Sequence, residues 1–242
     1  MNIWGITNTG SVRQQNQDAY RVEPLPEDGL LAVVCDGMGG ARSGNVASQM
    51  AVHLFGDAVL EGFQLAQVPP PDELLRTAAE LANERIYDRA LNDPACLGMG
   101  TTLVAALVQE GTVHVINVGD SRAYAISRAG IRRVTRDHSV VEDLVARGEI
   151  TPDEARLHPQ KNLITRALGA DAAAQPDLYQ LPAVPGEFLL LCSDGLSNVV
   201  TDQELLYEVI HGGASDQCCQ RLLDVALSRG APDNVTAVLL QM

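Results

Sequence analysis

The amino-acid sequence predicts an α+β protein in which helices cover the faces of β-sheets. Nine short segments are rich in Val, Ile, Leu and Thr, and several are nearly continuous apolar runs, as is typical of strands buried on both faces. Two long helical patterns follow one another after the third of these segments, and strands and helices do not alternate strictly. A doubly wound parallel sheet is therefore not expected. The sequence favours a sandwich of hairpin-linked strands with helices outside.

The predicted elements follow from these patterns in chain order. Strand-length apolar runs come first, two helical patterns with a 3.6-residue repeat follow, and further strands and shorter helices complete the chain. Asp28-Gly29 and the tripeptide QEG at 109–111 are typical of turns between paired strands. The predicted strands are 3–7, 19–24, 30–35, 101–108, 113–118, 122–127, 177–181, 188–192 and 235–241, and the predicted helices are 44–63, 72–91, 140–147, 202–210 and 216–228.

Composition and charge exclude several classes of protein. The 242 residues are 46% hydrophobic and 20% charged, which is ordinary for a globular chain and not for a disordered or fibrous one. The formal net charge of −14 repels phosphate backbones and anionic lipids, so we expect neither nucleic acid nor a membrane as a partner. Five cysteines without a CxxC pair indicate neither a disulfide framework nor a zinc ribbon.

The chain is expected to form one domain over residues 1–242 and to act as a monomer. The only linker-like stretch, QVPPP at 67–71, separates two helical patterns without a change in composition. The first residues lack the basic and apolar regions of a signal peptide, and no uncharged apolar run reaches the length of a membrane span. These observations predict a cytoplasmic location.

The most informative feature is the placement of aspartate at the ends of apolar segments. Asp36 and Asp194 each follow an apolar run, and Asp120 follows the run VHVINVG. Asp18 precedes an early strand, and Asp233 precedes the last one. Each of them taken alone is more often a turn residue or a helix cap. Five together predict carboxylates that buried sheets deliver to one rim.

A rim of carboxylates requires positive charge, because the acids repel one another. No lysine lies near them in the sequence, and a set of oxygen ligands selects Mg²⁺ or Mn²⁺ rather than zinc. Arg13 precedes Asp18 by five residues, and arginine is suited to bidentate recognition of a phosphate. An isolated arginine is more often a solvated surface residue. Its position before Asp18 favours the phosphate-binding interpretation.

Six short motifs occur in a fixed order along the chain. They are RQQNQDA at 13–19, DGMGG at 36–40, GTT at 100–102, GDSR at 119–122, SDG at 193–195 and DNVT at 233–236. Each motif is weak alone, but the ordered set covers nearly the whole chain and resembles the metal-dependent Ser/Thr protein phosphatases, the type 2C or PPM family, in a compact bacterial-type form. The resemblance implies a four-layer α-β-β-α sandwich, with two mainly antiparallel sheets flanked by helix pairs and a small flap at 140–165.

The resemblance also implies an activity and a set of metal ligands. The activity is hydrolysis of phosphoserine and phosphothreonine in proteins by metal-activated water, with two core Mn²⁺ or Mg²⁺ ions. Asp36 and Asp194 are the implied catalytic acids, and Asp36 bridges both ions. Asp194 and Asp233 complete the ligand set of the first ion. Asp18 and the carbonyl of Gly37 serve the second ion, directly or through water.

Three further roles, and two departures, follow from the same resemblance. Asp120, with Asp194, resembles the acid pair that holds a weaker third ion, and Arg13 resembles the phosphate-binding arginine. Gln17 stands where many members have Glu, so ligation of the second ion shifts toward Asp18 and water. Met38 stands where eukaryotic members have a histidine proposed as general acid, and methionine has no proton to donate.

Two other functions stay open at this point. One is a phosphatase for small phosphomonoesters, which nothing in the sequence excludes. The other is a non-catalytic regulator that binds phosphoproteins with the same fold, and the four intact acids at positions 18, 36, 194 and 233 argue against it. For the preferred function the expected partners are phosphorylated proteins, including Ser/Thr kinases and their substrates.

Three further segments have alternative interpretations. Substrate choice is expected in residues 140–161, where X-Pro steps such as Thr151-Pro152 disfavour helix before each proline and indicate a mobile surface segment; a plain connecting loop is the alternative. Asp137-His138-Ser139 contains triad residue types, but consecutive residues cannot converge as a triad, so a structural role is expected. The glycine-rich segment at 37–42 has Arg42 where a dinucleotide-binding motif requires glycine.

Overall fold

Two antiparallel sheets stack face to face, with helices on the outer face of each, in the computed structural model of the chain. The structure describes residues 1–38 and 43–242. Gly39, Gly40, Ala41 and Arg42 lie outside the described residues, so the structure does not test the end of the DGMGG motif or the interpretation of Arg42. The four-layer α-β-β-α sandwich that the family resemblance implies is confirmed.

The first sheet carries the two long helices. Its strands are paired in the order β2, β3, β5, β6, β9, and β4 pairs only with β3. Helices α1 and α2 cover its outer face. The bounds are β2 Asp18–Pro24, β3 Leu30–Met38, β4 Gly100–Thr101, β5 Leu103–Gln109, β6 Thr112–Val118, β9 Asp177–Pro182, α1 Gly44–Gly62 and α2 Pro71–Asn92.

The second sheet is paired in the order β1, β11, β10, β7, β8, and helices α6 and α7 cover its outer face. Two short helices, α3 and α4, lie in the flap, and α5 is a single turn after β10. The bounds are β1 Asn2–Asn8, β7 Arg122–Ser127, β8 Gly130–Arg133, β10 Phe188–Cys192, β11 Val235–Gln241, α3 Val140–Ala146, α4 Pro152–Leu157, α5 Asp194–Ser197, α6 Asp202–Ile210 and α7 Cys218–Ser228, with 3-10 turns at Pro94–Cys96 and Ser215–Gln217.

Strand β3 shows how an apolar run serves two cores. Leu31 and Val33 pack among the helices α1 and α2, whereas Ala32 and Val34 pack against the second sheet. Because neighbouring residues of a strand point to opposite faces, a strand between a helix layer and another sheet needs apolar residues on both. The continuous run LLAVVC at 30–35 therefore predicts this buried position correctly.

The nine predicted strands are confirmed, with one interruption. The strand predicted at 101–108 is split into β4 and β5 at Thr102, whose backbone N–H donates to the carbonyl of Asp36 (2.9 Å). The QEG turn is confirmed, with positive φ at Glu110 and Gly111. The turn before β3 is also present, but its left-handed residues are Glu27 and its neighbour at 28, one position earlier than expected.

The flap contains more helix than the sequence interpretation allowed. Thr151 is extended, as a residue before proline must be, but it is the N-cap of α4, and Pro152 occupies the first turn. Thr151 and Glu154 form a reciprocal capping box. The pattern TPDE is thus a helix-start signal that the X-Pro argument overlooked.

The cysteines belong to the protein core. All five are free and buried, and a buried free cysteine acts as a small apolar side chain. In the described part of the chain, no helix combines the length and the apolar character that crossing a bilayer requires.

Candidate active site

Loops from both sheets meet at a cavity of about 810 Å³. Four of the five predicted acids line it, and Arg13 lines it as well. The acids belong to different elements: Asp36 lies near the end of β3, Asp120 follows β6, Asp194 follows β10 and Asp233 precedes β11. Sheet stacking therefore brings together carboxylates that are far apart in sequence, and the rim that the strand-end aspartates predict is present. These four acids are Asp36, Asp120, Asp194 and Asp233.

Close backbone approach holds two of these loops together. A Cβ on Gly195 would lie 1.9 Å from the carbonyl oxygen of Asn234, so only glycine fits beside it. Asp194 and Asp233 are the neighbours of these two residues in the chain. Asp194 thus lies beside Asp233 because the residue that follows it, Gly195, has no side chain.

Asp18 lies beside the cavity rather than in its lining. It is 3% exposed, and it is directly opposite Asp36 in the pairing of β2 with β3. Its Oδ2 accepts hydrogen bonds from the hydroxyls of Ser193 and Thr236, both at 2.7 Å. Its Oδ1 is buried and has no hydrogen-bond partner among the described residues. Burial raises the pKa of Asp18 to about 6, against the effect of the two hydroxyls.

Three acids that line the cavity also resist ionisation. Burial raises the pKa of Asp36 and of Asp120 well above the usual range, and the charges of Asp18 and Asp194, respectively, raise them further. The pKa of Asp194 is raised by burial and then by the charge of Asp233. Each acid therefore destabilises the charged form of a neighbour, which is the electrostatic situation that a bound cation relieves.

The donor set fits a hard divalent cation. Asp194 Oδ1, like Asp18 Oδ1, is a buried carboxylate oxygen without a partner in the described chain. Within residues 1–38 and 43–242, no three His, Cys, Asp or Glu side chains form a ready-made metal cage. Mg²⁺ needs no such cage, because it commonly binds one or two carboxylates and keeps several waters. Oxygen-only ligands with two unsatisfied carboxylate atoms suit Mg²⁺ or Mn²⁺.

Hydroxyl groups hold the backbone of Asp36. Its N–H donates to Thr102 Oγ1 (2.9 Å), and Thr101 Oγ1 donates to its carbonyl (2.9 Å). Thr102 Oγ1 is also 2.7 Å from Ser121 Oγ, in the turn that carries the acid at 120. The GTT and GDSR motifs thus act as supports for the acids, a role that sequence reasoning did not assign to them.

Asn234 is a second support that the sequence analysis missed. Its Oδ1 accepts the backbone N–H of Gln17 (2.8 Å), and its amide group donates to the carbonyls of Thr9 (2.8 Å) and Gln15 (3.0 Å). The side chain therefore holds the loop that contains Arg13. The signal was present in the DNVT motif, where Asn follows an acid directly before a strand.

Arg13 is at the cavity edge and is paired with an acid. Its Nη2 donates to Asp233 Oδ2 at 2.7 Å, and its side chain is 52% exposed. This hydrogen bond raises the pKa of Arg13, so the guanidinium stays charged. Half of the side chain remains open to the cavity and to solvent, and its remaining N–H groups are suited to phosphate oxygens.

Comparison with known proteins agrees with this site. A family model described as Protein phosphatase 2C matches residues 10–229. The chain belongs to the protein phosphatase 2C family. The serine/threonine phosphatase stp of Listeria monocytogenes serovar 1/2a is 37% identical over 235 residues, which cover 97% of this chain and 93% of stp. Protein phosphatase PhpP of Streptococcus pneumoniae serotype 2 is 34% identical over 242 residues, which cover 100% and 98%.

Solved structures show the same fold. Serine/threonine phosphatase Stp1 from Staphylococcus aureus has a TM-score of 0.91 and 37% identity, covering 99% of this chain and 94% of Stp1. The catalytic domain of the phosphatase PstP, solved with two manganese ions, has a TM-score of 0.84 and 32% identity, covering 98% and 96%. The chain is therefore a protein serine/threonine phosphatase, and metal-dependent catalysis is characteristic of its family.

The flap reaches the active site of this phosphatase at two places. Asn162 and Ile164 line the catalytic cavity, as do Gln17 and Met38, the two residues that depart from the family pattern. A second cavity of about 310 Å³ lies under α3 and α4 and shares two acids, at 120 and 194, with the first. The flap thus forms one wall of the space beside the acids of the cavity.

Proposed function

We propose that this phosphatase hydrolyses phosphoserine and phosphothreonine at a centre of two core Mn²⁺ or Mg²⁺ ions. The observation that carries the proposal is the pair of buried, unpartnered carboxylate oxygens on Asp18 and Asp194, next to a cavity lined by further acids. An orphaned buried charge is costly, and a chain retains several only where a cation compensates them.

The acids divide between the ions according to their positions. Asp36 would be the ligand shared by the core ions, since it faces Asp18 across the strand pair and its pKa is also raised by the charge of Asp194. Asp194 and Asp233 serve the first ion, and their loops touch at Gly195. When bound, the ions supply an activated water for in-line attack on phosphorus and stabilise charge in the transition state.

Asp18 serves the second core ion together with the Gly37 carbonyl, directly or through water. The hydroxyls of Ser193 and Thr236 occupy Oδ2 and leave Oδ1 for the ion or its water. A weaker third ion belongs to Asp120 with Asp194, because the charge of Asp194 is the main one that acts on Asp120. Two carboxylates would hold this ion, whereas three would hold the first core ion.

Arg13 binds the non-bridging oxygens of the phosphate and orients them. Asp233 fixes the guanidinium on one side through the 2.7 Å hydrogen bond, so the group is oriented before the substrate arrives. Met38 lines the cavity but donates no proton, so protonation of the leaving alkoxide falls to water or to another group.

The substrates are phosphoproteins made by Ser/Thr kinases, and the site of action is the cytoplasm. The five free, buried cysteines support a reducing compartment. We further propose that residues 1–242 act as one catalytic domain and as a monomer, with residues 140–165 as the flap that contacts the substrate.

Metal titration of two variants tests the ligand assignment. Asp36→Ala removes the bridging ligand, so calorimetry with Mn²⁺ should show neither core ion, and hydrolysis of a phosphothreonine peptide should be lost. Asp120→Ala should keep two tight sites and lose only the weak one. The assignment is wrong if Asp120→Ala empties the tight sites while Asp36→Ala leaves them filled. Full turnover after exhaustive chelation would overturn the metal mechanism itself.

A further inference from the structure

His138 is a buried residue that the proposed chemistry does not use. Its imidazole is 5% exposed. Its backbone N–H donates to the carbonyl of Gly119 (2.9 Å), and its Nδ1 accepts the backbone N–H of the same glycine (3.1 Å). One residue therefore satisfies both the donor and the acceptor of Gly119, which directly precedes Asp120 in the chain.

These contacts define where the imidazole proton is. A backbone N–H only donates, so Nδ1 carries the lone pair, and the neutral ring carries its proton on Nε2. Nε2 lies 3.2 Å from Asp177 Oδ2, which accepts that proton's hydrogen bond. Arg166 Nη1 also lies near Nε2, but both are donors, and Arg166 donates instead to Asp177 Oδ1 (3.1 Å). Burial lowers the pKa of His138, which favours the neutral ring.

Gly119 needs this support because of its conformation. Its φ is +105°, and a Cβ would lie 2.6 Å from Thr102 Cγ2, so glycine is required there. Glycine has the largest backbone freedom, and the turn is fixed only by what bonds to it. Asn117 Nδ2 adds one bond to its carbonyl (3.2 Å), while Nδ1 of His138 is the acceptor for its N–H.

His138 is also hydrogen-bonded to the end of the flap. The carbonyl of His138 accepts the N–H of Thr165 (2.8 Å), and the next residue, Ser139, forms a β-bridge with Ile164. Ile164 lines the catalytic cavity. His138 is therefore in hydrogen-bond contact with the turn before Asp120 on one side and with the flap end on the other.

We propose that His138 is a positioning residue that holds Asp120 at the cavity through Gly119 and links this turn to the flap. Asp177 accepts the hydrogen bond of Nε2 and so keeps the imidazole in the required tautomer. Carboxylates commonly fix the tautomer of functional histidines in this way. The inference rests on the proposed role of Asp120 at the weaker ion. It assigns a use to the DHS segment, for which the sequence alone indicated only a structural role.

Two substitutions of His138 distinguish the effect of its hydrogen bond from the effect of its side-chain volume. Asn places an amide oxygen near the position of Nδ1, whereas Leu fills space without an acceptor. His138→Leu should raise the Mn²⁺ concentration for half-maximal activity by about 2- to 12-fold, the effect of one hydrogen bond. It should also accelerate hydrogen exchange of the Gly119 amide in the metal-free protein. His138→Asn should stay close to wild type in both measurements.

His114 provides a matched control. It is also nearly buried, at 9% exposure, but its Nδ1 lies 2.8 Å from a carboxylate oxygen of Asp72 in α2 and not at the turn that contains Gly119. His114→Leu should lower the melting temperature without changing the Mn²⁺ requirement. The proposal is overturned if His138→Leu, folded as well as His114→Leu, keeps both the Mn²⁺ requirement and the Gly119 protection, or if His138→Asn is as impaired as His138→Leu.

A third variant covers the case in which His138→Leu does not fold. Asp177 is 41% exposed in its side chain, so Asp177→Ala should preserve the core. Loss of the acceptor should move part of the proton to Nδ1, seen in the ¹⁵N shifts of the ring, and should accelerate Gly119 exchange. An unchanged tautomer with unchanged exchange would overturn the proposal. If Gly119 responds but Asp120→Asn leaves Mn²⁺ dependence unaltered, the positioning stands and the role of Asp120 fails.

Discussion

Asp18 and Asp36 lie directly opposite one another on the antiparallel strands β2 and β3. Like charges at directly opposed positions destabilise a sheet, and here the pair is also largely desolvated. The phosphatase therefore keeps, beside its cavity, a pair of acids that weakens the fold. Because we propose that both acids bind metal, we expect stability and metal binding to be linked.

Removing one of the two charges should stabilise the metal-free protein. Asp18→Asn keeps an oxygen for the hydroxyls of Ser193 and Thr236 and replaces the repelled oxygen with an amide N–H. With metal chelated at pH 7, we expect a gain of about 1–2 kcal/mol, or about 2–8 °C in melting temperature. The rise in melting temperature on adding Mn²⁺ should shrink, and activity should fall.

The comparison for Asp18→Asn is Asp88→Asn, which changes an exposed acid in the C-terminal part of α2. This control should leave both melting temperatures unchanged. A lower melting temperature of chelated Asp18→Asn, together with a normal Mn²⁺ response, would contradict the link between charge repulsion and metal binding.

Loss of Arg13 should weaken phosphate binding. Arg13→Ala removes a charged hydrogen-bond donor, so KM for p-nitrophenyl phosphate should rise by about 10- to 150-fold, with a smaller change in metal affinity. Arg13→Lys should recover only part of this loss, since lysine lacks the planar fork. Steady-state kinetics with Arg85→Ala, an exposed arginine of α2, provide the control. Unchanged kinetics in Arg13→Ala would make it a surface residue held by Asp233.

The flap should select substrates by charge. Arg156 and Lys161, the only lysine of the chain, line the second cavity, and neither forms an ion pair within the described residues. The double change to alanine should lower kcat/KM for a phosphothreonine peptide with acidic flanks by about 2- to 10-fold. Hydrolysis of p-nitrophenyl phosphate should be unaffected, because this substrate has no acidic flanks for the two cations to bind.

Arg147→Ala is the matched change for this experiment, since Arg147 is an exposed flap residue that does not line the second cavity. It should leave both substrates unaffected. Equal losses on peptide and p-nitrophenyl phosphate in the double variant would mean that the two cations support the metal site, and no loss on either would leave the flap as a connector.

Acid should loosen helix α4. Glu154 accepts hydrogen bonds from the N–H (2.7 Å) and the hydroxyl (2.8 Å) of Thr151, and these bonds lower the pKa of Glu154 below its ordinary 4.5. A lowered pKa means that the stabilisation is complete above about pH 4.5 and is lost as the pH falls through the lowered value. The ¹³Cα shifts of α4 should therefore move toward coil below pH 4.5.

Glu154→Gln keeps the cap acceptor and removes the titration. Its α4 shifts should therefore stay helical below pH 4.5. An identical acid transition in wild type and Glu154→Gln would show that the capping box is not what titrates.

Local sequence carried most of the information about elements. The run LLAVVC predicts a strand buried on both faces, and β3 is such a strand, because period-two alternation reports burial on each face. The pattern TPDE carries a capping box that the X-Pro rule obscured, so α4 was missed although its signal is local. The two-residue strand β4 has no periodicity that a sequence could show.

The hydrogen-bond partners of the acids could not be predicted from the local sequence. Asp18 is held by Ser193 and Thr236, which are 175 and 218 residues away in the chain, and Arg13 is paired with Asp233, 220 residues away. Such contacts depend on how two sheets stack, and periodicity within one strand contains no information about register between sheets.

The sequence by itself determined the layer structure, the acids at the strand ends and, through the ordered motifs, the family. Only the tertiary structure decided which oxygens stay unpartnered: Oδ1 of Asp18 has no hydrogen-bond partner among the described residues, whereas Oδ2 accepts hydrogen bonds from Ser193, after β10, and Thr236, in β11. The physical reason is that burial and alternation are properties of a segment, whereas desolvation and hydrogen-bond satisfaction are properties of the packed neighbours around one atom.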